Sequence, residues 1–440
     1  MDKNEIKAII KKKNVKFIRL QFTDIFGTLK NVAVTANQIE KALNNKCMFD
    51  GSSIEGFVRI EESDMYLHPD LDTFTIFPWC GDENKTARLI CDVYKTNGQP
   101  FEGDPRYILR RAVKEAADMG FTFNVGPECE FFLFDTNELT GVTNRPTDNA
   151  GYFDLGPVDK GEDARRDICL NLEQMGFNIE AAHHECARGQ HEIDFEYSNA
   201  LTAADNIMTF KLAVKCIANN HGLYASFMPK PIFNEAGSGM HINMSLFKKG
   251  KNIFENKNDK LGLSNDAYSF IAGLLEHARG MTAITNPLVN SYKRLVAGYE
   301  APVYITWSVF NRSPLVRIPS AKGAETRIEL RHPDPSANPY LTLAVSLMAG
   351  LDGIKRNLTP PAAIDGNVYL MNEKDLEENK IQRLPKDLDE AIAELGKDKV
   401  MIEALGNHVF NKFTEAKLSE WVDYSNQVHQ WELDKYLPIY

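Results

Sequence analysis

Basic runs, paired cysteines, long apolar stretches and phosphate-binding glycine loops are scarce or missing in this chain, and each absence narrows what it does. No run of positive charge exceeds Lys11-Lys12-Lys13, and 61 acidic against 50 basic side chains leave a net charge of −11. Phosphate backbones and anionic headgroups need a concentrated positive surface, so no nucleic-acid and no membrane partner is expected. The longest apolar stretch, 340–350, is too short and too rich in hydroxyls to span a bilayer. Residues 1–15 are polar and lysine-rich, without the apolar centre of a secretory signal. Seven cysteines (Cys47, Cys80, Cys91, Cys129, Cys169, Cys186, Cys216) form no CxxC pair and no disulfide-like spacing. Reduced thiols and a cytoplasmic location are the expectation. Gly250-Lys251 and Gly396-Lys397 are not followed by Ser or Thr, and Gly237-Ser238-Gly239 reaches Ile242 where a dinucleotide turn needs Gly. A nucleotide bound by this chain needs another kind of site.

What is present is an ordinary globular composition, 43% hydrophobic and 25% charged over 440 residues, long enough for more than one domain. Residues 15–34 read as two alternating strands around a turn, with further strands at 73–79 and 86–94 and a helix over 38–48. The Gly- and Pro-rich stretch 97–105 serves as a linker, dividing the chain into a small unit, 1–104, and a larger one, 105–440. Beyond the linker the periodicity predicts a helix over 106–119 and others over 165–175, 203–219 and 267–283. Strands are predicted at 123–134, 190–197, 240–247, 303–307 and 326–331, and the tail from 387 onward is helical. Strands and helices mixed without strict alternation indicate an α+β catalytic unit rather than a doubly wound sheet.

Residues at i and i+2 of a strand share a face, and here that rule collects chemistry. Glu128 and Glu130 project together, as do Glu192, Asp194 and Glu196; Glu185 lies just upstream. His241, Asn243 and Ser245 face away from Met240, Ile242, Met244 and Leu246, and Arg327, Glu329 and Arg331 away from Ile328 and Leu330. One such strand is an ordinary polar edge. Four of them describe a polar cavity lined by a sheet. Carboxylates that face one another repel unless a cation sits between them. Many Glu with one His suit Mg²⁺ or Mn²⁺ better than zinc. Cys129 points into the core, and His183 and His184 read as supporting residues. Five arginines (Arg294, Arg312, Arg317, Arg327, Arg331) lie between Tyr292 and Arg331. Arginines beside metal-binding Glu can clamp phosphate and carboxylate oxygens, the needs of phosphoryl transfer.

The segments MFDGSSIEGF (48–57), GPECEFF (126–132), HHE (183–185), GQHEIDF (189–195), GSGMH (237–241), NSYKRLVAGYEAP (290–302), NRSP (311–314) and RIELRHPDPSANPY (327–340) carry a resemblance. Along essentially the whole chain and in order, they resemble glutamine synthetase of type I, in its shorter, non-adenylylated bacterial and archaeal branch. The resemblance implies an N-terminal β-grasp domain, a catalytic domain with a curved antiparallel sheet, and a homo-dodecamer of two stacked hexamers. It implies a site shared between subunits, with Asp50 and Ser53 supplied by a neighbour for ammonium. Two or more Mg²⁺ or Mn²⁺ ions would use Glu130, Glu185 and Glu192 in one set and Glu128, His241 and Glu329 in the other. ATP would meet Glu180, Phe195, Tyr197, Ser245, Arg312 and Arg317, and glutamate would meet Gly237, Arg294, Glu300 and Arg331. Asp50, Glu300 and Arg312 would be catalytic, with Glu300 on a flap, and Arg59 would sense feedback glutamine.

Ala236 stands where the family usually has Asn, and Ala297 replaces the usual flap Pro. Two alternatives remain at this point: a γ-glutamyl-amine (polyamine) ligase, against which Asp50, Ser53 and Glu300 argue, and a catalytically quiet nitrogen sensor that binds a nitrogen-regulatory protein.

Overall fold

Alternation in the first strand puts Ile18, Leu20 and Phe22 on one face, each at most 3% exposed, against Ile6 and Ile10 of the helix Lys3–Lys12. This is the core of a five-stranded sheet in the computed structural model, which describes residues 1–54, 56, 64–137, 141–299, 301–364, 366 and 368–440. Its strands are β1 (Phe17–Thr23), β2 (Leu29–Thr35), β3 (Cys47–Asp50), β4 (Asp64–Ile76) and β5 (Thr86–Lys95), ordered β2-β1-β5-β4-β3. β1 and β5 run parallel and the other neighbours antiparallel.

A second, ten-stranded sheet holds β6 (Thr122–Asp135), β7 (Ile179–His184), β8 (Gln190–Phe195), β9 (Ser198–Asn199), β10 (Leu223–Ser226), β11 (Met240–Lys248), β12 (Lys251–Asn252), β13 (Trp307–Ser308), β14 (Val316–Arg317) and β15 (Ile328–Leu330). Its main path is β13-β14-β15-β11-β6-β8-β7. Every pairing is antiparallel except β13 with β14. Met240, Ile242, Met244 and Leu246 are fully buried in the large core, which also takes up the helices Ala200–Asn220 and Pro339–Lys355. The opposite face is left to polar side chains.

Where local pattern and structure differ, tertiary contacts explain it. The helix expected over 38–48 stops at Leu43, because Cys47–Asp50 is drawn into the sheet beside β4. The helix over 267–283 is two helices, Asn265–Glu276 and Ala278–Thr285, broken at His277. The strand over 303–307 reduces to a bridge at Tyr304 and the short β13. The helix Pro105–Asp118 begins where expected, with Asp104 accepting from the Arg106 amide and Pro105 in the first turn.

Arg106 joins the two sheets' surroundings. Its guanidinium is 2% exposed and pairs with Asp70 and Asp92 of the small sheet and with Asp205 of the helix Ala200–Asn220, at 2.6–2.8 Å. A buried guanidinium needs this many acceptors to offset its desolvation.

Candidate active site

Strand register builds the site. His241 lies opposite Glu128, Asn243 opposite Glu329, and Glu192 opposite both Glu130 and His183. The polar face of β15-β11-β6-β8-β7 is therefore a continuous row of ligand-type side chains.

Two groups converge on that row. Glu128, His241 and Glu329 place ligand atoms within 4.8 Å of one another, and so do His183, Glu185 and Glu192. In the first group His241 Nδ1 lies 3.3 Å from Glu128 and 3.8 Å from Glu329. Asn243 donates to Glu128 Oε1 at 2.8 Å, and Arg327 donates to Asn243 at 3.1 Å. Glu329 also receives Arg331 Nε at 3.1 Å and the Arg317 guanidinium. In the second group His183 Nε2 meets Glu185 Oε1 at 2.9 Å, and the Cys186 amide donates to Glu185 Oε2 at 2.9 Å. His183 thus stands among the ligand-type groups, beyond the supporting role its sequence suggested. Glu130 is one strand over, its Oε2 accepting from Gln190 Nε2 and the Gly239 amide, both at 2.9 Å. Gln190 was missed in the sequence; its position two residues before Glu192 on the same face was the available signal.

The electrostatics fit cation binding. Burial, then the neighbouring Glu185 charge, pushes Glu130 up to about 8. Burial, then Glu130, pushes Glu192 up to about 12. Glu128 also pays for burial, but the His241 hydrogen bond and charge, with Asn243, bring it down to about 2. Carboxylates held this close resist ionising together, and a divalent cation removes the conflict. Oxygen donors with one imidazole in each group are a hard-cation set.

Two cavities flank the row. One of about 310 Å³ is lined by Glu130, Glu185, Gly237, Arg294, Tyr299 and Arg331, among others. Arg294 is 3% exposed, with NH1 on the His332 carbonyl at 2.7 Å and NH2 on the Arg331 carbonyl at 3.2 Å. Gly237 and Gly239 are required there: an added Cβ would lie 2.5 Å from the Pro229 carbonyl oxygen and 2.7 Å from Arg294 NH2, respectively. The other cavity, about 630 Å³, is lined by Glu128, Glu180, Phe195, Tyr197, Asn243 and Ser245, among others. Four of the six residues expected at ATP are in that lining. Arg317 lies instead on Glu329, and the Arg312 carbonyl accepts from Arg331.

Asp50 and Ser53 line neither cavity. Asp50 ends the edge strand β3 and Ser53 the short 3-10 turn Gly51–Ser53 after it, both exposed, with Asp50 Oδ1 accepting from the Ser52 amide at 2.8 Å and the Ser52 hydroxyl at 2.6 Å. Those bonds hold Asp50 below the usual carboxylate range. Glu300 and Arg59 lie outside the described residues. Ala236 lines the smaller cavity and packs beside Phe132, Phe134 and Ala187.

Comparison with known proteins gives the same picture. The model of the glutamine synthetase catalytic domain matches residues 102–436, and that of the glutamine synthetase beta-Grasp domain matches residues 14–96. A glutamine synthetase of Clostridium saccharobutylicum is 63% identical over 438 residues, covering 100% of this chain and 99% of that protein. One of Staphylococcus aureus (strain MW2) is 58% identical over 439 residues, covering 100% and 98%. Among solved structures, a GmaS/ADP complex has a TM-score of 0.90 at 34% identity, covering 98% of this chain and 99% of that one. A cryo-EM glutamine synthetase of Plasmodium falciparum has a TM-score of 0.88 at 26% identity, covering 99% of both chains.

Proposed function

The chain belongs to the glutamine synthetase family, and from that premise we propose how its residues join ammonia to the γ-carboxylate of L-glutamate, with ATP converted to ADP and phosphate. One observation carries the reading: two groups of metal-ligand type lie on a single strand row, between a cavity sized for an amino acid and a larger one lined by Phe195, Tyr197 and Ser245.

Arg294, fixed by two backbone carbonyls, and Arg331, braced on Glu329, bind the glutamate carboxylates in the smaller cavity beside Gly237. Glu180, Phe195, Tyr197 and Ser245, which line the larger cavity, hold the nucleotide, and Arg312 and Arg317 orient its phosphates. The γ-carboxylate oxygen attacks the γ-phosphorus of ATP, ADP leaves, and γ-glutamyl phosphate forms. Ammonia then attacks the acyl carbon and phosphate leaves. Glu128, His241 and Glu329, and Glu185 and Glu192 with Glu130 or His183, would hold Mg²⁺ or Mn²⁺, which when bound would supply charge neutralisation at the transferring phosphoryl group. Asp50 and Ser53 bind ammonium, and Asp50 and Glu300 take its proton. The flap carrying Tyr299 and Glu300 keeps water from the acyl phosphate. Arg59 pairs with the carboxylate of feedback glutamine, so Arg59→Ala keeps turnover and raises the glutamine needed for half inhibition; an unchanged inhibition curve removes that role.

The functional units divide at residues 104 and 105. Asp50 and Ser53 line neither cavity, which supports a site completed by a second copy. The C-terminal stretch exposes Val428 (69%), Trp431 (61%), Leu437 (73%) and Ile439 (73%), an apolar surface suited to burial between copies in a dodecamer of stacked hexamers. Among the described residues no helix is long and apolar enough to cross a membrane; the enzyme acts in the cytoplasm, where cysteines without CxxC or disulfide-like spacing stay reduced. A nitrogen-regulatory protein is a compatible further partner.

The test is Glu300→Ala. Phosphate release continues while glutamine formation falls, because γ-glutamyl phosphate escapes to hydrolysis. Release that stays coupled to glutamine contradicts the ammonium-site assignment.

A further inference from the structure

Behind Glu185 lies a buried polar layer that contacts neither cavity. Asp148, Asp159, His184 and His191 bring ligand-type atoms within 4.8 Å of one another, all four residues buried. It is not a vacant cation site, because a cation already fills it. Arg165 NH1 reaches Asp159 Oδ2 and His191 Nδ1, both at 2.7 Å. His191 therefore accepts at Nδ1 and turns Nε2 toward Gly161, where a Cβ would come within 2.5 Å of it. What remains is Asp148 with His184.

The Asp148 carboxylate collects the ends of three chain segments. Oδ1 accepts from His184 Nε2 at 3.1 Å, the Gly189 amide at 3.0 Å and the Ala150 amide at 3.2 Å. Oδ2 accepts from the Lys160 amide at 3.2 Å and the Thr147 hydroxyl at 3.1 Å. His184 passes the constraint on. Its Nδ1 lies 2.7 Å from the carbonyl oxygen of Glu185, the residue whose side chain faces His183 and Glu192. Both ring partners can only accept, so both ring nitrogens donate. Asp148 also holds Gly189, the residue before Gln190, and Gln190 in turn donates to Glu130 Oε2 at 2.9 Å. One carboxylate thus sits at the root of both branches that aim Glu185 and Glu130 at the row.

We infer that Asp148 is a positioning residue for the Glu185 side of the cation-binding row, acting through the His184 ring and the Gly189 amide. Groups that orient metal ligands from behind set affinity, and losing one typically weakens binding ~10–100-fold. This rests on reading Glu185 as a metal ligand, so the test carries that reading as its own control.

The experiment titrates Mn²⁺ into the intact assembly without nucleotide, following bound metal by electron paramagnetic resonance. A Glu329→Ala background leaves the Glu185 site to be read alone. Adding Glu185→Ala removes the remaining binding; if it does not, the ligand assignment fails rather than the present inference. Adding Asp148→Ala weakens that binding by about tenfold or more. Adding Asp148→Asn restores most of it, because an amide oxygen still accepts from His184 and Gly189. A purely structural role lowers the melting temperature and leaves the isotherm in place. A folded Asp148→Ala protein with an unchanged isotherm overturns the inference. If Asp148→Ala does not fold, His184→Gln carries the same decision: weakened Mn²⁺ binding supports the relay, and an unchanged isotherm rejects it.

Discussion

Glu329 ties three side chains of the site together. It is 2% exposed and engages His241, Arg317 and Arg331 at once. Removing its carboxylate leaves the buried Arg331 and the half-buried Arg317 guanidinium groups facing an imidazole. Glu329→Ala, or His241→Ala, is expected to lower glutamate-dependent ADP formation by about 100-fold or more, the upper end of what even outer partners of metal ligands cost. Gel filtration of the same variants is expected to show the normal assembly. Full activity at ordinary Mg²⁺ would reject the ligand assignment. At this scale the sequence was informative where alternation applied: Glu128, His241, Asn243 and Glu329 were recognisable as face-sharing residues and meet as such. His183 and Gln190 were not, because their roles depend on which strand lies beside β8, and one strand's pattern does not reveal its neighbour. The hydrogen bonds that Asp148 accepts from His184 and Gly189 were equally hidden, 36 and 41 positions apart in the chain.

The break at His277 shows what periodicity cannot supply among the elements. Apolar residues recur at helical spacing on both sides of it, so the pattern alone predicts one helix. The imidazole sits between two carboxylates, Nδ1 at 2.7 Å from Asp398 and Nε2 at 3.0 Å from Asp352. Asp398 also caps the helix Lys399–Ser425, accepting from the Val400 and Met401 amides. Burial alone would lower the His277 pKa, but the hydrogen bonds it donates to Asp398 and Asp352 raise it above the usual value. A histidine whose folded pKa is raised stabilises fully below its unfolded pKa, near 6.5, and loses that stabilisation as pH climbs through the folded value. The melting-temperature gap between wild type and His277→Gln is therefore expected to be widest near pH ~6 and to shrink toward alkaline pH. A gap that grows with pH would reverse the assignment. Asp398→Ala is expected to cost at least ~1 kcal/mol from the lost cap alone, measured by denaturant unfolding.

For the whole molecule, the division into a small sheet and a large one was readable from composition and strand spacing, because each sheet builds its own core from its own alternating residues. Assembly was not readable in that way. Asp50 and Ser53 are recognisable as site residues only through resemblance, and within one chain they stand apart from both cavities. If they act on a neighbour's substrates, two dead proteins can rescue each other. Asp50→Ala and Glu329→Ala chains, mixed, dissociated and reassembled, are expected to recover part of the wild-type activity, since some interfaces then pair an intact Asp50 with an intact Glu329. Proven mixed assemblies without recovery would place the whole site in one chain. Truncation after Gln427 is expected to give smaller assemblies by analytical ultracentrifugation, through loss of the apolar surface that includes Trp431 and Ile439.

Glutamine formation from ammonia is the activity that this strand row is built to perform. It is tested most directly by incubating the wild-type protein with ATP, glutamate and Mg²⁺ against a panel of ammonium, methylammonium, putrescine and spermidine. Phosphate and the γ-glutamyl product are quantified together. Ammonium is expected to give the fastest phosphate release, matched mole for mole by glutamine, with the larger amines far behind. Preferred use of putrescine or another amine, or phosphate release without glutamine in the wild type, would contradict it.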